Sequence, residues 1–147
     1  MITILIVDDH ASFRKSLKYM LETTEDIQVV ATASNGMDAL LLARSLCPDI
    51  AVVDISMPGM DGIETARQLK QFCQFTRVMI LSILDHAEYV QRAVEVGAAG
   101  FVLKDAIGED LLAAIRALAV GKRYFSRPIA DIAEKHIRRR RDDSWAG

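Results

Sequence analysis

Five polar residues stand directly after short apolar runs in this chain, and together they suggest a chemistry. Asp8 and Asp9 follow the run from Ile2 to Val7, Asp54 the run from Ile50 to Val53, Ser82 the run from Arg77 to Leu81, and Lys104 the run from Gly100 to Leu103. Polar residues commonly end strands, and a single Asp there is more often a helix cap than a reacting group. Three carboxylates, a hydroxyl and an ammonium at corresponding positions are harder to explain that way. Carboxylates gathered in one pocket raise one another's pKa, so all three stay ionised together only beside a cation. A hard divalent ion meets that need. Mg²⁺ takes oxygen ligands, typically one or two carboxylates with waters, a carbonyl and a phosphate oxygen. Histidine and cysteine ligation is not indicated: His10, His86 and His136 form no spaced pair, His10 reads as a residue at a helix start, and Cys47 and Cys73 lack the CxxC spacing of a thiolate zinc site.

The elements that would carry these residues are legible as an alternation. Apolar runs rich in Ile and Val recur at Ile2 to Val7, Ile27 to Ala33, Ile50 to Val53, Arg77 to Leu81 and Gly100 to Leu103, the pattern of strands buried on both faces. Helical spacing lies between them: Phe13, Leu17, Met20 and Leu21; Ala39, Leu42, Ala43 and Leu46; Ile63, Ala66, Leu69 and Cys73; Val90, Ala93 and Val94; then Leu111, Ile115 and Leu118. Pro48 stops the second helix, while Asp61 with Glu64 and Asp85 with Glu88 have the spacing of a capping box. Five βα units with right-handed crossovers predict an α/β, doubly wound, five-stranded parallel sheet with five helices. In such sheets the reactive site lies beyond the carboxyl ends of the strands, which is where the five polar residues fall.

Composition sets the outer limits. The chain has 147 residues, 51% of them hydrophobic and 26% charged, enough for one domain with its own core plus a short appendage. The longest uninterrupted apolar or glycine run, Val96 to Leu103, is far short of the roughly 18 residues a membrane helix needs, so no membrane span is expected. The N-terminus has no basic region before its apolar stretch and is not read as a signal peptide, and two cysteines without a framework suit a reducing cytoplasm. Charge is uneven: residues 1–121 carry 10 basic and 16 acidic side chains, net −6, and residues 122–147 carry 8 and 4, net +4. The tail contains Arg138, Arg139, Arg140 and Arg141, which reads as a solvated linker rather than a nucleic-acid surface, since four charges offer few phosphate contacts. A short helix is expected near 128–137, where Pro128 suits a first turn and Ile129, Ile132, Ala133 and Ile137 share a face.

The motifs ILIVDDH, VVDISMPGMDGIE, VMILS and GAAGFVLKDA, in this order and spacing, resemble the receiver domain of bacterial two-component response regulators from about Ile2 to Gly121. The KDA after the fifth strand and the downstream LLAAIRALAVGKRYFS are similar to the LuxR/FixJ-type branch, whose receivers precede a helix-turn-helix DNA-binding domain. The resemblance implies a flavodoxin-like strand order, 2-1-3-4-5. It implies that Asp54 is the phosphoacceptor, and that Asp8, Asp9, Asp54 and the Ser56 backbone carbonyl hold Mg²⁺, with Asp8 acting through water. Lys104 would pair with a phosphoryl oxygen. Ser82, where many relatives have Thr, would bind another, and Phe101 would turn inward as Ser82 moves. The implied partners are a sensor histidine kinase and a second copy of the chain on phosphorylation, with DNA reached only through an output domain not visible in this sequence.

The expected role is therefore a cytoplasmic signalling module in transcription regulation, with no enzymatic activity beyond its own phosphorylation and dephosphorylation. The ending after the arginine run, which leaves Trp145 exposed without a task, reads as a receiver cut at its linker more than as a natural stand-alone receiver. Two other classes compete with this reading. A metal-dependent phosphohydrolase with an Asp nucleophile, of the haloacid dehalogenase type, would want an Asp-x-Asp motif and a cap, whereas Asp8 and Asp9 are adjacent. A nucleotide-binding fold would want GxGxxG or GxxxxGK[ST], and neither is present.

Overall fold

A computed structural model describes residues 1–146, with side chains through Asp142; the expectation for Trp145 lies outside the described side chains. Strands β1 (Ile2–Val7), β2 (Ile27–Ala33), β3 (Ile50–Asp54), β4 (Arg77–Ser82), β5 (Gly100–Leu103) and β6 (Tyr124–Phe125) alternate with helices α1 (Ala11–Leu21), α2 (Gly36–Leu46), α3 (Gly62–Phe72), α4 (Ala87–Glu95), α5 (Ile107–Ala119) and α6 (Arg127–Ala146). All neighbouring strands are parallel, in the order β2-β1-β3-β4-β5-β6.

The two-residue period of a strand sorts the core into two layers. In β1, Ile4 and Ile6 face Leu17 and Leu21 of α1 and Leu111 and Ile115 of α5. Leu5 and Val7 face the other way, toward Ala39 and Ala43 of α2, Ile63 and Leu69 of α3 and Val90 of α4. A strand buried on both faces has no polar positions to alternate, which is why these runs read as continuous. Capping follows residue type. Asn35 accepts from the Asp38 amide at 2.9 Å and Asp61 from the Glu64 amide at 2.8 Å. The expected Asp85 cap does not form, because α4 starts at Ala87 and its N-cap position is His86, without a side-chain hydrogen bond.

The expected five-stranded sheet with five helices needs correction to six strands and six α-helices among the described residues. At the end of α5 the Gly121 amide donates to the Leu118 carbonyl at 3.1 Å and the Lys122 amide to the Ala117 carbonyl at 2.9 Å, a Schellman turn with Gly121 at φ 88°. The turn lays Tyr124 and Phe125 beside the open edge of β5, where the Tyr124 amide donates to the Ala99 carbonyl at 3.0 Å and the Ser126 amide to the Phe101 carbonyl at 2.9 Å. A two-residue strand has no periodicity to detect; it forms because β5 otherwise ends the sheet with unpaired backbone groups.

Buried Ser126 locks the addition. Its Oγ accepts from the Leu103 amide at 2.9 Å and donates to Asp110 Oδ2 at 3.0 Å, while the Tyr124 hydroxyl donates to Asp110 Oδ1 at 2.8 Å. Burial and the Asp110 carboxylate push the Tyr124 hydroxyl above its usual range. Where a short helix is expected near 128–137, a longer helix, α6, runs from Arg127 to Ala146 and packs on α4. Ile129, Ala133 and Ile137 are its buried stripe, as their spacing predicts, and Ile132 is partly buried beside them. His136 Nε2 lies 3.1 Å from Glu95 Oε1 and Arg140 donates to the Val94 carbonyl at 3.3 Å. Arg138, Arg139, Arg140 and Arg141 are exposed, so helix formation costs them no hydration. Among the described residues, no helix is long and apolar enough to cross a membrane.

Candidate functional site

Parallel strands deliver their last residues to one end of the sheet, and that end is acidic. Asp54 is the last residue of β3, Ser82 the last of β4, Asp8 follows β1, and Lys104 opens a single 3-10 turn after β5. Asp8 is fully buried and Asp54 is 3% exposed. Lys104 Nζ sits between them, 3.2 Å from Asp54 Oδ1 and 3.3 Å from Asp8 Oδ2. Burial, then the Asp8 charge, raises the Asp54 carboxyl above its ordinary range; the Lys104 ammonium and the Ser56 amide, 3.4 Å from Oδ1, oppose that. One ammonium cannot neutralise three carboxylates, so the end of the sheet retains net negative charge.

The loop after β3 turns tightly against the strand end that carries Asp54. A Cβ on Gly62 would stand 2.2 Å from the Asp54 carbonyl oxygen, so only glycine lets α3 begin against that strand end. The Gly62 amide donates to the Ile55 carbonyl at 3.0 Å, closing the loop beneath Asp54.

Asp8, Asp9, His10 and Asp54 each present one ligand atom within 4.8 Å of the others. This cluster could hold a metal ion, and the pocket fits one: Asp9 Oδ1 is buried without a hydrogen bond. His10 Nδ1 lies 3.1 Å from it but outside hydrogen-bonding alignment, and is 3.3 Å from Asp8 Oδ1. A buried carboxylate oxygen lacking a partner is costly unless a cation completes it.

The structure therefore brings together Asp8, Asp9, Asp54 and Lys104. Ser82 sits at the same end, but its hydroxyl is committed to its own loop, donating to the Leu84 carbonyl and accepting from the Leu84 amide, both at 2.9 Å. Phe101 is fully buried in β5, where its register partner on β6 is Phe125. Ser56 lies in the loop with an exposed side chain. Two neighbours, Phe13 and Arg14, carry no sign of the site in the sequence, and a third, His10, which reads there as a helix-start residue, is the N-cap of α1 and also joins the cluster. The Phe13 ring lies under Lys104 Nζ, 4.3 Å from its centroid, Arg14 donates to the Asp8 carbonyl at 2.6 Å, and His10 touches both adjacent carboxylates. Phe13 and Arg14 lie on α1 at positions whose spacing signals only helix, so sequence offered no sign of their second role.

Comparison with known proteins agrees with this geometry. The family model of the response regulator receiver domain matches residues 4–116. The nitrate/nitrite response regulator protein NarL of Escherichia coli is 38% identical over 139 residues, covering 95% of this chain and 64% of NarL. The response regulator GacA of Pseudomonas aeruginosa is 37% identical, covering 98% of this chain and 68% of GacA. Among solved structures, a LuxR-family two-component response regulator from Aurantimonas sp. SI85-9A1 aligns with a TM-score of 0.86 at 34% identity, covering 92% of this chain and 97% of that one. The chain thus spans about two thirds of the length of the curated relatives it matches. These relatives are response regulators, which favours a signalling protein over the phosphohydrolase weighed from sequence. The match over residues 4–116, on a parallel sheet ending in a carboxylate cluster with one lysine, places this chain in the response regulator receiver domain family.

Proposed function

We propose that Asp54 accepts a phosphoryl group from a sensor histidine kinase and that the resulting aspartyl phosphate switches dimerisation or a C-terminal transcriptional output. The observation that carries this reading is the Lys104 ammonium 3.2 Å from the nearly buried Asp54 carboxylate, beside Asp8 and the unpartnered Asp9 oxygen. An Asp54 carboxylate oxygen attacks phosphorus of a phosphohistidine, the P–N bond breaks, and the imidazole leaves with the electron pair and picks up a proton. Such transfers depend mainly on positioning and charge neutralisation, and little further chemistry is asked of the protein. Lys104 neutralises charge developing on one phosphoryl oxygen. Asp8, Asp9, Asp54 and the Ser56 carbonyl are the residues that would hold Mg²⁺, which when bound supplies the remaining positive charge.

Ser82 is the readout residue. Its hydroxyl leaves Leu84 for a phosphoryl oxygen, the loop follows, and the Phe101 ring changes its packing in response. Residues 1–121 act as the phosphoacceptor unit and residues 122–147 as its connection to an output that contacts DNA, in the cytoplasm. No enzymatic activity beyond turnover of its own phosphate is assigned. Intact-mass measurement after incubation with acetyl phosphate tests the reading: a single Mg²⁺-dependent phosphoryl adduct is expected on the wild type and none on Asp54→Asn. Stoichiometric labelling of that variant at another aspartate would refute the assignment. Lys104→Ala should retain Mg²⁺ binding while uncoupling phosphorylation from any change in oligomeric state, and an unaltered response would count against its role.

A further inference from the structure

The opposite end of the sheet, where β4 and β5 begin, carries a second charged concavity, a groove of about 700 Å³. Arg77 and Ala99 lie at those strand starts, Lys70 and Phe75 come from the end of α3 and the loop after it, and Gly121, Lys122 and Arg123 form the turn after α5. The Arg77 guanidinium is fixed by donating to the Leu118 carbonyl at 2.7 Å, and a Cβ on Gly121 would stand 3.2 Å from the same nitrogen. Glycine at 121, at φ 88°, thus both ends α5 and leaves room for the guanidinium. The Lys70 ammonium donates to the Gln74 carbonyl at 3.3 Å.

Charge in this groove is unbalanced. Four cations line it against one carboxylate, Glu134, and none of the four forms an ion pair with a carboxylate among the described residues. Burial, and then the Arg77 charge, lowers the Lys70 ammonium below its usual range, the direction expected of a cation beside an uncompensated cation. Lys104, at the other end of the sheet, is by contrast answered by two carboxylates. A multivalent anion would relieve the imbalance, and guanidinium with ammonium groups is the donor set that phosphate oxygens take. Phe75, 86% exposed on the same groove, offers a ring face where a base can stack.

We propose that this groove binds a nucleoside polyphosphate, with its phosphates on Lys70, Arg77, Lys122 and Arg123 and its base against Phe75. Titration calorimetry of the intact chain in metal-free buffer, with ATP and separately with inorganic triphosphate, tests the proposal. ATP is expected to bind saturably at one per chain, and the paired change Lys122→Gln with Arg123→Gln, both at exposed positions, to weaken it by about tenfold or more. Phe75→Ala should weaken ATP and leave triphosphate unchanged, and Asp54→Asn should change neither, which separates this groove from the acidic end. Absence of saturable binding at millimolar ATP, or equal affinity in the paired variant, would overturn the site. Equal affinity for ATP and triphosphate, unmoved by Phe75→Ala, would overturn the nucleoside assignment, as would preference for a polyglutamate peptide over ATP.

Discussion

The acidic end of the sheet and the C-terminal addition along β5 both bury polar groups, yet they satisfy them to different degrees. Along β5, Ser126 Oγ both accepts and donates, Asp110 receives two hydroxyls, and Ile129 and Ala133 close over the α4 layer. At the acidic end, Lys104 is shared between two carboxylates and a buried Asp9 oxygen has no hydrogen bond. Full satisfaction marks an addition that stabilises the fold. Incomplete satisfaction marks a place that a ligand completes, because a buried charged oxygen left without a partner raises the energy of the unliganded protein.

The sharpest break in this contrast is Asp54→Asn, which should remove phosphoryl labelling altogether while leaving the far-ultraviolet circular dichroism of the fold intact. On the other side, Ile129→Ala should cost about 2–5 kcal/mol in urea unfolding, because the fully buried side chain leaves a cavity between α6 and the sheet layer. An unchanged midpoint would mean that α6 does not rest on the receiver in solution. Ser126→Ala should cost about 1–3 kcal/mol, since it strands the Leu103 amide and one Asp110 oxygen.

Effects of pH sharpen the contrast further. The Asp54 carboxyl is held above its ordinary value of 3.8, chiefly by burial and then by the Asp8 charge, so the folded chain binds that proton more tightly than the unfolded chain. The metal-free protein should therefore lose stability as pH rises from the ordinary carboxylate value through the raised one, and Asp54→Asn should remove that slope. Unfolding midpoints across pH, with and without Mg²⁺, check it. The smallest effect belongs to exposed Glu64, whose carboxyl is lowered to about 2 by hydrogen bonds from Arg67 and then Gln68. Arg67→Gln should return it toward 4.5 in an NMR titration with little change in stability, as for other exposed pairs.

Much of the acidic end was legible because its residues sit at strand ends, where a period change in the sequence marks their place. Asp8, Asp54, Ser82 and Lys104 each follow an Ile- and Val-rich or Gly-initiated run, and parallel topology then requires them to share one end. Phe13 and Arg14 were not legible as neighbours of that pocket, since contacts from the first turn of α1 depend on how that helix tilts against β1. The stripe of Ile129, Ala133 and Ile137 announced a helix but not its partner. The arginine run, Arg138 to Arg141, is exposed as its charge predicts, but it did not announce the length of α6, because like charges suit the outer face of a docked helix as well as a linker.

Local residue patterns were enough to set the alternation of buried strands and covering helices, and with it the end of the sheet at which the polar residues gather. Those features follow from local periodicity and from the handedness of crossovers, both of which act at short range along the chain. Long-range packing, by contrast, set Tyr124 and Phe125 as an extension of the sheet, and Lys70, Arg77, Lys122 and Arg123 around one groove. Each of these depends on distant segments meeting across the β5 edge or at the strand starts, where the deciding quantities are unpaired backbone groups and uncompensated charge, and neither has a sequence period.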